Sequence, residues 1–179
     1  MSDGHEHEDH SHDNHSHDGH HEHDEAASTA VVTVSSSRTL DDDPGGDVIE
    51  AALTEAGHEV TERLVAPDDR VAIADAVTSA LEAGADVVVT TGGTGLTPDD
   101  VTVDAVAPLL DREIPGFGEL FRYVSFGEVG PMAMASRATA GVVADRLVFC
   151  LPGSENAART GSEQLVAPAV GHLLGLARR

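Results

Sequence analysis

Residues 86–95 read Asp86-Val87-Val88-Val89-Thr90-Thr91-Gly92-Gly93-Thr94-Gly95, an apolar β-branched run that ends in a glycine-rich loop. A run of this kind predicts a buried strand. The glycines allow backbone N–H groups to approach an anion closely. Two carboxylates, Asp99 and Asp100, follow within five residues and could hold a metal ion. A strand, a glycine loop and two carboxylates in this order indicate chemistry on nucleotides or phosphate esters with Mg²⁺. Glycines after a strand also form ordinary turns.

The basic residues limit which classes of phosphate-binding protein the chain can belong to. The glycine loop has neither the dinucleotide spacing G-x-G-x-x-G nor a Walker A pattern. The chain contains no lysine, and all ten of its basic residues are arginine. P-loop NTPases and Schiff-base or pyridoxal-phosphate enzymes each depend on a lysine, so these classes are excluded. Positive charge at a bound phosphate must therefore come from arginine, a metal ion or helix N-termini.

The first half of the chain alternates between strand and helix patterns. The predicted elements are a strand at Val31–Val34, a helical face from Val48 to Ala56, a strand at Glu59–Val65, a helix from Asp68 to Gly84 and a strand at Asp86–Thr90. This alternation favours a parallel sheet with helices on both faces. We therefore expect an α/β fold, a three-layer α/β/α domain with a mostly parallel sheet, over residues 26–179.

The second half has a less regular pattern. It predicts helices at Val101–Arg112, Gly116–Tyr123 and Met132–Ala138, a strand pair at Thr139–Val143 and Leu147–Leu151, and a final helix after Pro152-Gly153-Ser154 with Ser154 as N-cap. Two strands thus end in glycine loops at expected helix N-termini, where free N–H groups favour anions. Open parallel sheets bind ligands at the carboxyl ends of their strands. The two loops could hold two phosphate-bearing ligands side by side, or be strand-to-helix turns only.

Three carboxylates near these loops, Asp68, Asp99 and Asp100, have two possible roles. Asp68 follows Pro67 and suits a helix N-cap, and Thr97-Pro98-Asp99-Asp100 resembles a capping box with Thr97 as cap and Asp100 at the third position. The alternative is that Asp68 and Asp100 bind a metal ion. From these residues alone, capping is the favoured interpretation.

Net charge and amino-acid composition indicate the expected partners and cellular location of the protein. The 179 residues carry a formal net charge of −22, so duplex nucleic acid and anionic membranes, which need basic patches, are not expected partners. Acidic surface, absent lysine and few aromatics are typical of a protein from a high-salt cytoplasm. No apolar run approaches the roughly 18 residues that span a membrane, and no signal peptide opens the chain, so a cytoplasmic location is expected. Cys150 lies in a predicted strand and is expected to be a core residue rather than a nucleophile.

This composition predicts that the domain is halophilic. Carboxylate repulsion should be screened above about 1 M KCl, where the Debye length is near 3 Å. We expect the melting temperature to rise from dilute buffer to molar KCl. Thermal unfolding that does not depend on KCl over this range would contradict the prediction.

Residues 1–25 differ from the remainder, because they contain nine of the eleven histidines, nine acidic residues and no aliphatic residue after Met1. Such a segment cannot bury a core, so it is predicted to be disordered. Imidazoles beside carboxylates could chelate Zn²⁺, Ni²⁺, Cu²⁺ or Co²⁺, for metal storage, delivery or sensing. The alternative is a solubilising tail without a selected ligand. The candidate ligands are His5, His7, His10, His12, His15, His17, His20, His21 and His23.

Four blocks in order resemble the signatures of the MoaB/Mog family of molybdenum-cofactor biosynthesis proteins, which is related to the G domain of gephyrin. They are Thr90–Gly95, Asp111–Glu119, Ser136–Gly141 and Leu151–Ser154. The resemblance extends from Val31 to the C-terminus, and Arg122–Glu128 is more similar to the MoaB branch than to Mog. It implies the molybdopterin-binding fold of that family.

The resemblance also implies an activity. Active members of the family adenylylate molybdopterin with MgATP, giving adenylyl-molybdopterin and pyrophosphate. Two family aspartates needed for this reaction match Asp68 and Asp100, which are therefore the implied catalytic and Mg²⁺-binding residues. Ser136 and Arg137 match a Ser-Arg pair near the pterin pocket. One departure is the loop Ser35-Ser36-Ser37-Arg38, where the family more often has Ser-Asp/Asn-Arg.

The remaining expectations also follow from the resemblance. The implied substrate- and nucleotide-binding residues are Thr91, Gly92, Gly93, Thr94, Gly95, Gly116, Gly118, Glu119, Ser136, Arg137, Pro152, Gly153 and Ser154. A homotrimer or homohexamer is expected, and apolar residues in Phe117–Met134 support it, unless they belong to the core of one chain. The protein that next inserts the metal, molybdenum or tungsten, is a further expected partner. The alternative function is a non-catalytic molybdopterin-binding or scaffold protein, with the tail binding or delivering metal.

Overall fold

A single six-stranded sheet organises residues 26–179, which are the residues that the structure, a computed structural model, describes. The strands are β1 (Ser28–Val34), β2 (Glu59–Ala66), β3 (Val87–Thr91), β4 (Arg112–Glu113), β5 (Thr139–Val143) and β6 (Arg146–Leu151). Their spatial order is β2-β1-β3-β6-β5-β4. The first four in this order are parallel, and β5 and β4 are antiparallel to their neighbours. The predicted mostly parallel sheet is confirmed, whereas the histidine-rich tail lies outside the described residues.

Helices cover both faces of this sheet. They are α1 (Pro44–Glu55), α2 (Arg70–Glu82), α3 (Thr102–Val106), α4 (Pro115–Val129), α5 (Glu155–Gly161) and α6 (Ala167–Ala177), with 3₁₀ turns at Ala107–Leu109 and Gly130–Ala135. A π-helical turn, Ser162–Val166, joins α5 to α6. It lies just before Pro168, whose missing N–H and bulky ring disfavour a regular α-helical turn there.

Two apolar clusters, one on each face of the sheet, form the core. On one face Ile49, Phe121 and Leu174 from α1, α4 and α6 pack against the strands. On the other face Ile73 of α2 and Val106 of α3 do so. The buried side chains alternate between the two clusters along β1, β3 and β6, as the two-residue period of a strand requires. The result is the expected three-layer α/β/α domain.

The connections of β1, β2 and β3 create a crevice. The chain runs from β1 through α1 to β2, and then through α2 to β3 on the other side of β1. Because α1 and α2 cover opposite faces, the connections diverge above the carboxyl ends of β1 and β3. Ligands of open α/β sheets bind at such a switch point.

Some predicted elements of the second half were wrong. The expected helix Val101–Arg112 ends at Val106, because Pro108 lies in a 3₁₀ turn and the chain then pairs with β5 as β4. The expected helix Met132–Ala138 is instead a 3₁₀ turn, which begins at Gly130 with φ +60° and continues through Pro131. A two-residue strand has no periodicity to detect, so β4 could not have been predicted.

The apolar residues of α4 and the turn after it divide into two groups. Phe117 and Phe121 are buried in the core, and the Phe117 ring meets the Phe149 ring edge-on at 5.1 Å. Six other large apolar residues are exposed: Leu120, Tyr123, Phe126, Val129, Met132 and Met134. Assembly into a trimer or hexamer stays a prediction. Among the described residues, no helix is long and apolar enough to cross a membrane.

Candidate functional site

A cavity of about 290 Å³ opens at the switch point, beyond the carboxyl ends of β1 and β3. Its walls come from the loops after these two strands, from the N-terminus of α1 and from the loop after β6. The lining residues are Thr33, Val34, Ser35, Arg38, Asp43, Gly45, Thr91, Gly92, Gly93, Asp100 and Gly153. Five of the residues implied by the family resemblance thus meet in one cavity: Thr91, Gly92, Gly93, Asp100 and Gly153.

The glycine loop after β3 requires glycine at two positions. Gly92 and Gly93 have φ of +110° and +64°. A Cβ atom on Gly92 would lie 2.3 Å from the Val34 carbonyl oxygen, and one on Gly93 would lie 2.3 Å from Thr102 Oγ1. The Gly92 N–H donates to the Leu151 carbonyl at 2.9 Å, so this N–H is not available to an anion.

The prediction that this loop opens directly into a helix was wrong. A turn at Thr97–Asp100 intervenes, and α3 begins only at Thr102. Thr102 instead secures the loop, because its Oγ1 donates to the Gly92 carbonyl at 2.7 Å and its N–H to the Gly93 carbonyl at 3.0 Å. The loop after β3 is therefore held by side-chain and backbone contacts and receives no helix dipole.

The loop after β6 does lead into a helix. Ser154 caps α5 as predicted, and its Oγ accepts from the Ala157 N–H at 3.3 Å. A Cβ atom on Gly153 would lie 3.0 Å from Gly92 Cα, so the two glycine loops touch. Thr91 Oγ1 also donates to the Pro152 carbonyl at 3.0 Å. The two glycine loops are thus in direct contact.

Asp100 lies on the cavity wall after the Thr97–Asp100 turn. Its Oδ2 accepts from the Thr97 N–H at 2.8 Å and from Thr97 Oγ1 at 2.6 Å, the contacts of a capping box but without a helix behind it. Burial alone would raise the pKa of Asp100, but the hydrogen bonds from Thr97 and Gly95 and the nearby Arg137 charge outweigh it and lower the pKa. Asp100 is therefore ionised at neutral pH and suited to a cation. The neighbouring Asp99 does not line the cavity.

Asp68 does not cap α2, contrary to the capping interpretation. The cap is Asp69, whose Oδ1 accepts from the N–H groups of Val71 and Ala72, both at 3.0 Å. The helix cap lies one residue later than predicted, so the two adjacent aspartates have different roles. Asp68 Oδ2 accepts from the N–H of Ser36 at 2.8 Å and from its Oγ at 2.7 Å.

Asp68 is therefore connected to the cavity through the loop that follows β1. It does not line the cavity itself, but Ser35 and Arg38 of that loop do. The loop is further ordered by Ser35 Oγ, which accepts from the N–H groups of Ser37 and Arg38, both at 3.3 Å. Both aspartates matched to the family thus belong to loops at the carboxyl edge of the sheet.

Asp43 was missed by the sequence reasoning, which predicted no element between Val34 and Val48. It is 2% exposed and is the N-cap of α1, where its Oδ1 accepts from the Gly46 N–H at 3.0 Å. Its Oδ2 accepts from Thr33 Oγ1 at 2.6 Å and pairs with Arg63 at 2.7 Å. The signal was present in Asp43-Pro44, since an aspartate cap followed by proline at the first helical position is typical of a helix start.

Arg137 fixes the glycine loop from behind. Its Nε donates to the Gly95 carbonyl at 2.8 Å, its two terminal nitrogens bind Asp104 and the Asp100 carbonyl, and its own N–H donates to the Thr94 carbonyl at 2.8 Å. All three guanidinium nitrogens are thereby engaged within the protein. The structure thus makes Arg137 a residue that holds the loop in place.

The other residues matched to the family lie outside the cavity lining: Gly116, Gly118 and Glu119 on α4, Ser136, and Thr94, Gly95, Pro152 and Ser154 of the two loops. A Cβ atom on Gly118 would lie 2.4 Å from the Ala138 carbonyl oxygen, so this glycine permits close packing of α4. Ser136 Oγ accepts from the Ala138 N–H at 3.2 Å. Cys150 is buried as predicted, and burial raises the pKa of its thiol to about 11. It is unsuited to act as a nucleophile.

Among the described residues that line this cavity, the side chains best suited to bind a metal ion are carboxylates. Within residues 26–179, no group of three or more His, Cys, Asp or Glu side chains is arranged to hold a metal ion. Mg²⁺ commonly takes one or two carboxylates and completes its shell with water and substrate phosphates. Asp68 and Asp100 are oxygen donors of the kind that this mode uses, and both lie on loops at this edge of the sheet.

Comparisons with known proteins agree with this geometry. Residues 30–172 match the family described as "Probable molybdopterin binding domain". The chain is 47% identical over 148 residues to the molybdenum cofactor biosynthesis protein B of Staphylococcus aureus strain MRSA252, covering 81% of this chain and 88% of that protein. It is 45% identical over 145 residues to the protein of the same name from Bacillus cereus, covering 80% and 86%.

Solved structures show the same relationship. A crystal structure of a molybdenum cofactor biosynthesis protein B aligns with a TM-score of 0.84 at 42% identity, covering 87% of this chain and 98% of the other. The tungsten cofactor synthesizing protein MoaB from Pyrococcus furiosus aligns with a TM-score of 0.78 at 39% identity, covering 87% and 99%. A switch-point cavity between glycine loops thus defines an α/β domain of the molybdopterin-binding class. The chain belongs to the MoaB/Mog family of molybdenum-cofactor biosynthesis proteins.

Proposed function

We propose that the protein transfers the adenylyl group of ATP to molybdopterin and releases pyrophosphate. The observation that carries this proposal is the convergence of two touching glycine loops and the ionised Asp100 in one cavity. The names of the relatives support a role in molybdenum-cofactor biosynthesis. In this reaction the terminal phosphate of molybdopterin attacks the α-phosphorus of ATP. A new P–O bond forms as the bond to the bridging oxygen of the β-phosphate breaks.

The chain contributes positioning and charge to this reaction. Both reacting groups are anionic, so their repulsion must be cancelled before attack. The cavity offers the polar edges of two loops, which are fixed by Thr102, Thr91 and Arg137 before any substrate binds. A fixed geometry of this kind lowers the barrier because little reorganisation is needed at the moment of reaction.

Asp68 and Asp100 would hold Mg²⁺ at this site. When bound, the ion neutralises phosphate charge and orients the phosphate oxygens for in-line displacement. Asp100 would do so from the cavity wall, where hydrogen bonds from Thr97 fix its carboxylate. Asp68 would do so from the loop after β2, where it binds the loop after β1 through Ser36.

Two measurements test this proposal. Titration calorimetry should show binding of MgATP in the absence of molybdopterin, and addition of molybdopterin should release pyrophosphate. The alternative function, a non-catalytic molybdopterin-binding or scaffold protein, predicts molybdopterin binding without pyrophosphate release. That result at saturating Mg²⁺ and molar KCl would reject the adenylyltransferase.

The histidine-rich tail is expected to be dispensable for catalysis. β1 begins at Ser28 at the amino edge of the sheet, whereas the cavity lies beyond the carboxyl ends of the strands. A chain shortened to residues 26–179 should therefore adenylylate molybdopterin at about the full-length rate. It should lose most Ni²⁺ or Zn²⁺ binding, which metal titration of both chains would measure. Loss of turnover on shortening would show instead that the tail contributes to the site.

A further inference from the structure

Arg38 is distinguished because its side chain has no partner among the residues that the structure describes. It follows β1, lines the cavity and is half-buried. Its backbone N–H donates to Ser35 Oγ, but its guanidinium has no hydrogen bond or ion pair within residues 26–179. Eight other arginines have such a partner, and Arg179 also has an interaction of its own; the eight are Arg63, Arg70, Arg112, Arg122, Arg137, Arg146, Arg159 and Arg178. In a chain of net charge −22, carboxylates outnumber arginines, so this isolation calls for an explanation.

The carboxylates of the cavity are already compensated by other groups. Asp43 pairs with Arg63 at 2.7 Å and accepts from Thr33. Asp100 accepts two hydrogen bonds from Thr97 and lies near the charge of Arg137. Arg38 is therefore not a structural counter-ion for either carboxylate, and its charge is available to a ligand.

The chemistry of the cavity makes that ligand a phosphate group. A guanidinium presents a planar set of donors that matches phosphate oxygens, and such charge-assisted pairs are often bidentate. The chain has no lysine to take this role, and the N–H of Gly92 is occupied by the Leu151 carbonyl. Among the described residues that line the cavity, Arg38 is the sole cationic side chain.

We propose that Arg38 binds a phosphate group of the substrate in this cavity. The inference rests on the proposed function for the identity of the substrates, which carry phosphate in two places. One is the polyphosphate of the nucleotide, which leaves as pyrophosphate, and the other is the terminal phosphate of molybdopterin. The loop that carries Arg38 is held by Asp68 through Ser36, so Asp68 also helps to position Arg38.

The test compares Arg38→Gln with Arg112→Gln by titration calorimetry at one fixed KCl concentration. Arg112 lies on β4 at the far end of the sheet, so its replacement removes the same charge away from the cavity. The probes are inorganic pyrophosphate with Mg²⁺ and, separately, molybdopterin. Arg38→Gln should weaken the binding of one probe by roughly 10- to 100-fold, the scale of a hydrogen bond to a charged group. Arg112→Gln should bind both probes as the unchanged chain does.

The probe that is weakened identifies the phosphate that Arg38 binds. Arg38→Lys should restore only part of the affinity, because an ammonium lacks the planar fork. Thermal unfolding should match the unchanged chain, since the guanidinium has no hydrogen bond or ion pair to lose within residues 26–179. Equal binding of both probes by Arg38→Gln and the unchanged chain would overturn the proposal.

The outcomes separate this inference from the proposed function. If the unchanged chain and Arg38→Gln adenylylate molybdopterin equally well and bind both probes equally, the inference fails and the proposed function stands. If the unchanged chain shows no adenylylation but binds pyrophosphate in an Arg38-dependent manner, the proposed function fails and the phosphate site stands.

Discussion

Replacing Asp100 by asparagine is expected to lower the rate of molybdopterin adenylylation by two or more orders of magnitude. The amide keeps the size of the side chain, and its oxygen can still accept from Thr97, so the turn should persist. It lacks the negative charge that Mg²⁺ needs. Losing one contact that stabilises the charge developing in the transition state costs on the order of 3–4 kcal/mol. Steady-state pyrophosphate release with saturating molybdopterin and MgATP measures the effect.

Asp99→Asn is the matched control, because Asp99 is adjacent in sequence but does not line the cavity. It should retain activity and stability. Asp68→Asn should fold normally, still bind molybdopterin and lose adenylylation to a similar degree. Near-normal turnover in Asp100→Asn would contradict the proposed mechanism but leave the fold unaffected.

The second large effect is expected on stability. Asp43→Ala should lower the free energy of unfolding by about 3 kcal/mol, because it removes the cap of α1 and leaves Arg63 and Thr33 without a buried acceptor. Urea unfolding in molar KCl measures the change. Asp47→Ala is the control, since Asp47 binds the same arginine at 2.6 Å with a side chain that is 63% exposed. Its loss should cost less than about 1 kcal/mol, and equal effects of the two variants would contradict this account of Asp43.

Acid should reduce the contribution of Asp43. Burial alone would raise the pKa of Asp43, but the hydrogen bonds from Thr33 and Gly46 and the Arg63 charge outweigh it and lower the pKa. A carboxyl with a lowered folded-state pKa adds stability above its unfolded pKa of about 3.9, and this stability is lost as pH falls through the folded value. The difference in unfolding free energy between the unchanged chain and Asp43→Asn should therefore narrow below about pH 4. A difference that stays constant down to pH 2 would contradict this assignment.

Periodic patterns account for the parts of the fold that were predictable. The β-branched run of β3 and the apolar stripes of α1 and α2 repeat over enough residues to reveal their period and their buried face. The same alternation predicted that ligands bind at the carboxyl ends of the strands, which is where the cavity lined by Gly92, Gly153 and Asp100 lies. These features depend on local sequence and on the rules of βαβ connection.

Long-range contacts account for the parts that were not predictable. Asp68 binds Ser36, which lies 32 positions away in the sequence. No local pattern distinguishes an aspartate with such a partner from one that caps a helix. The engagement of Arg137 by the Gly95 carbonyl and Asp104 is equally remote in sequence. Asp43 is a different case, because its cap and proline signal was local but was masked by the polar residues around it.

Transfer of label from ATP to molybdopterin tests the central claim most directly. The full-length chain in molar KCl with Mg²⁺ would be given molybdopterin and ATP labelled at its α-phosphate, and the pterin product would be isolated. The adenylyltransferase predicts label in the pterin product in equal amount to the pyrophosphate released. Molybdopterin that binds to the protein while all label remains in ATP would contradict it.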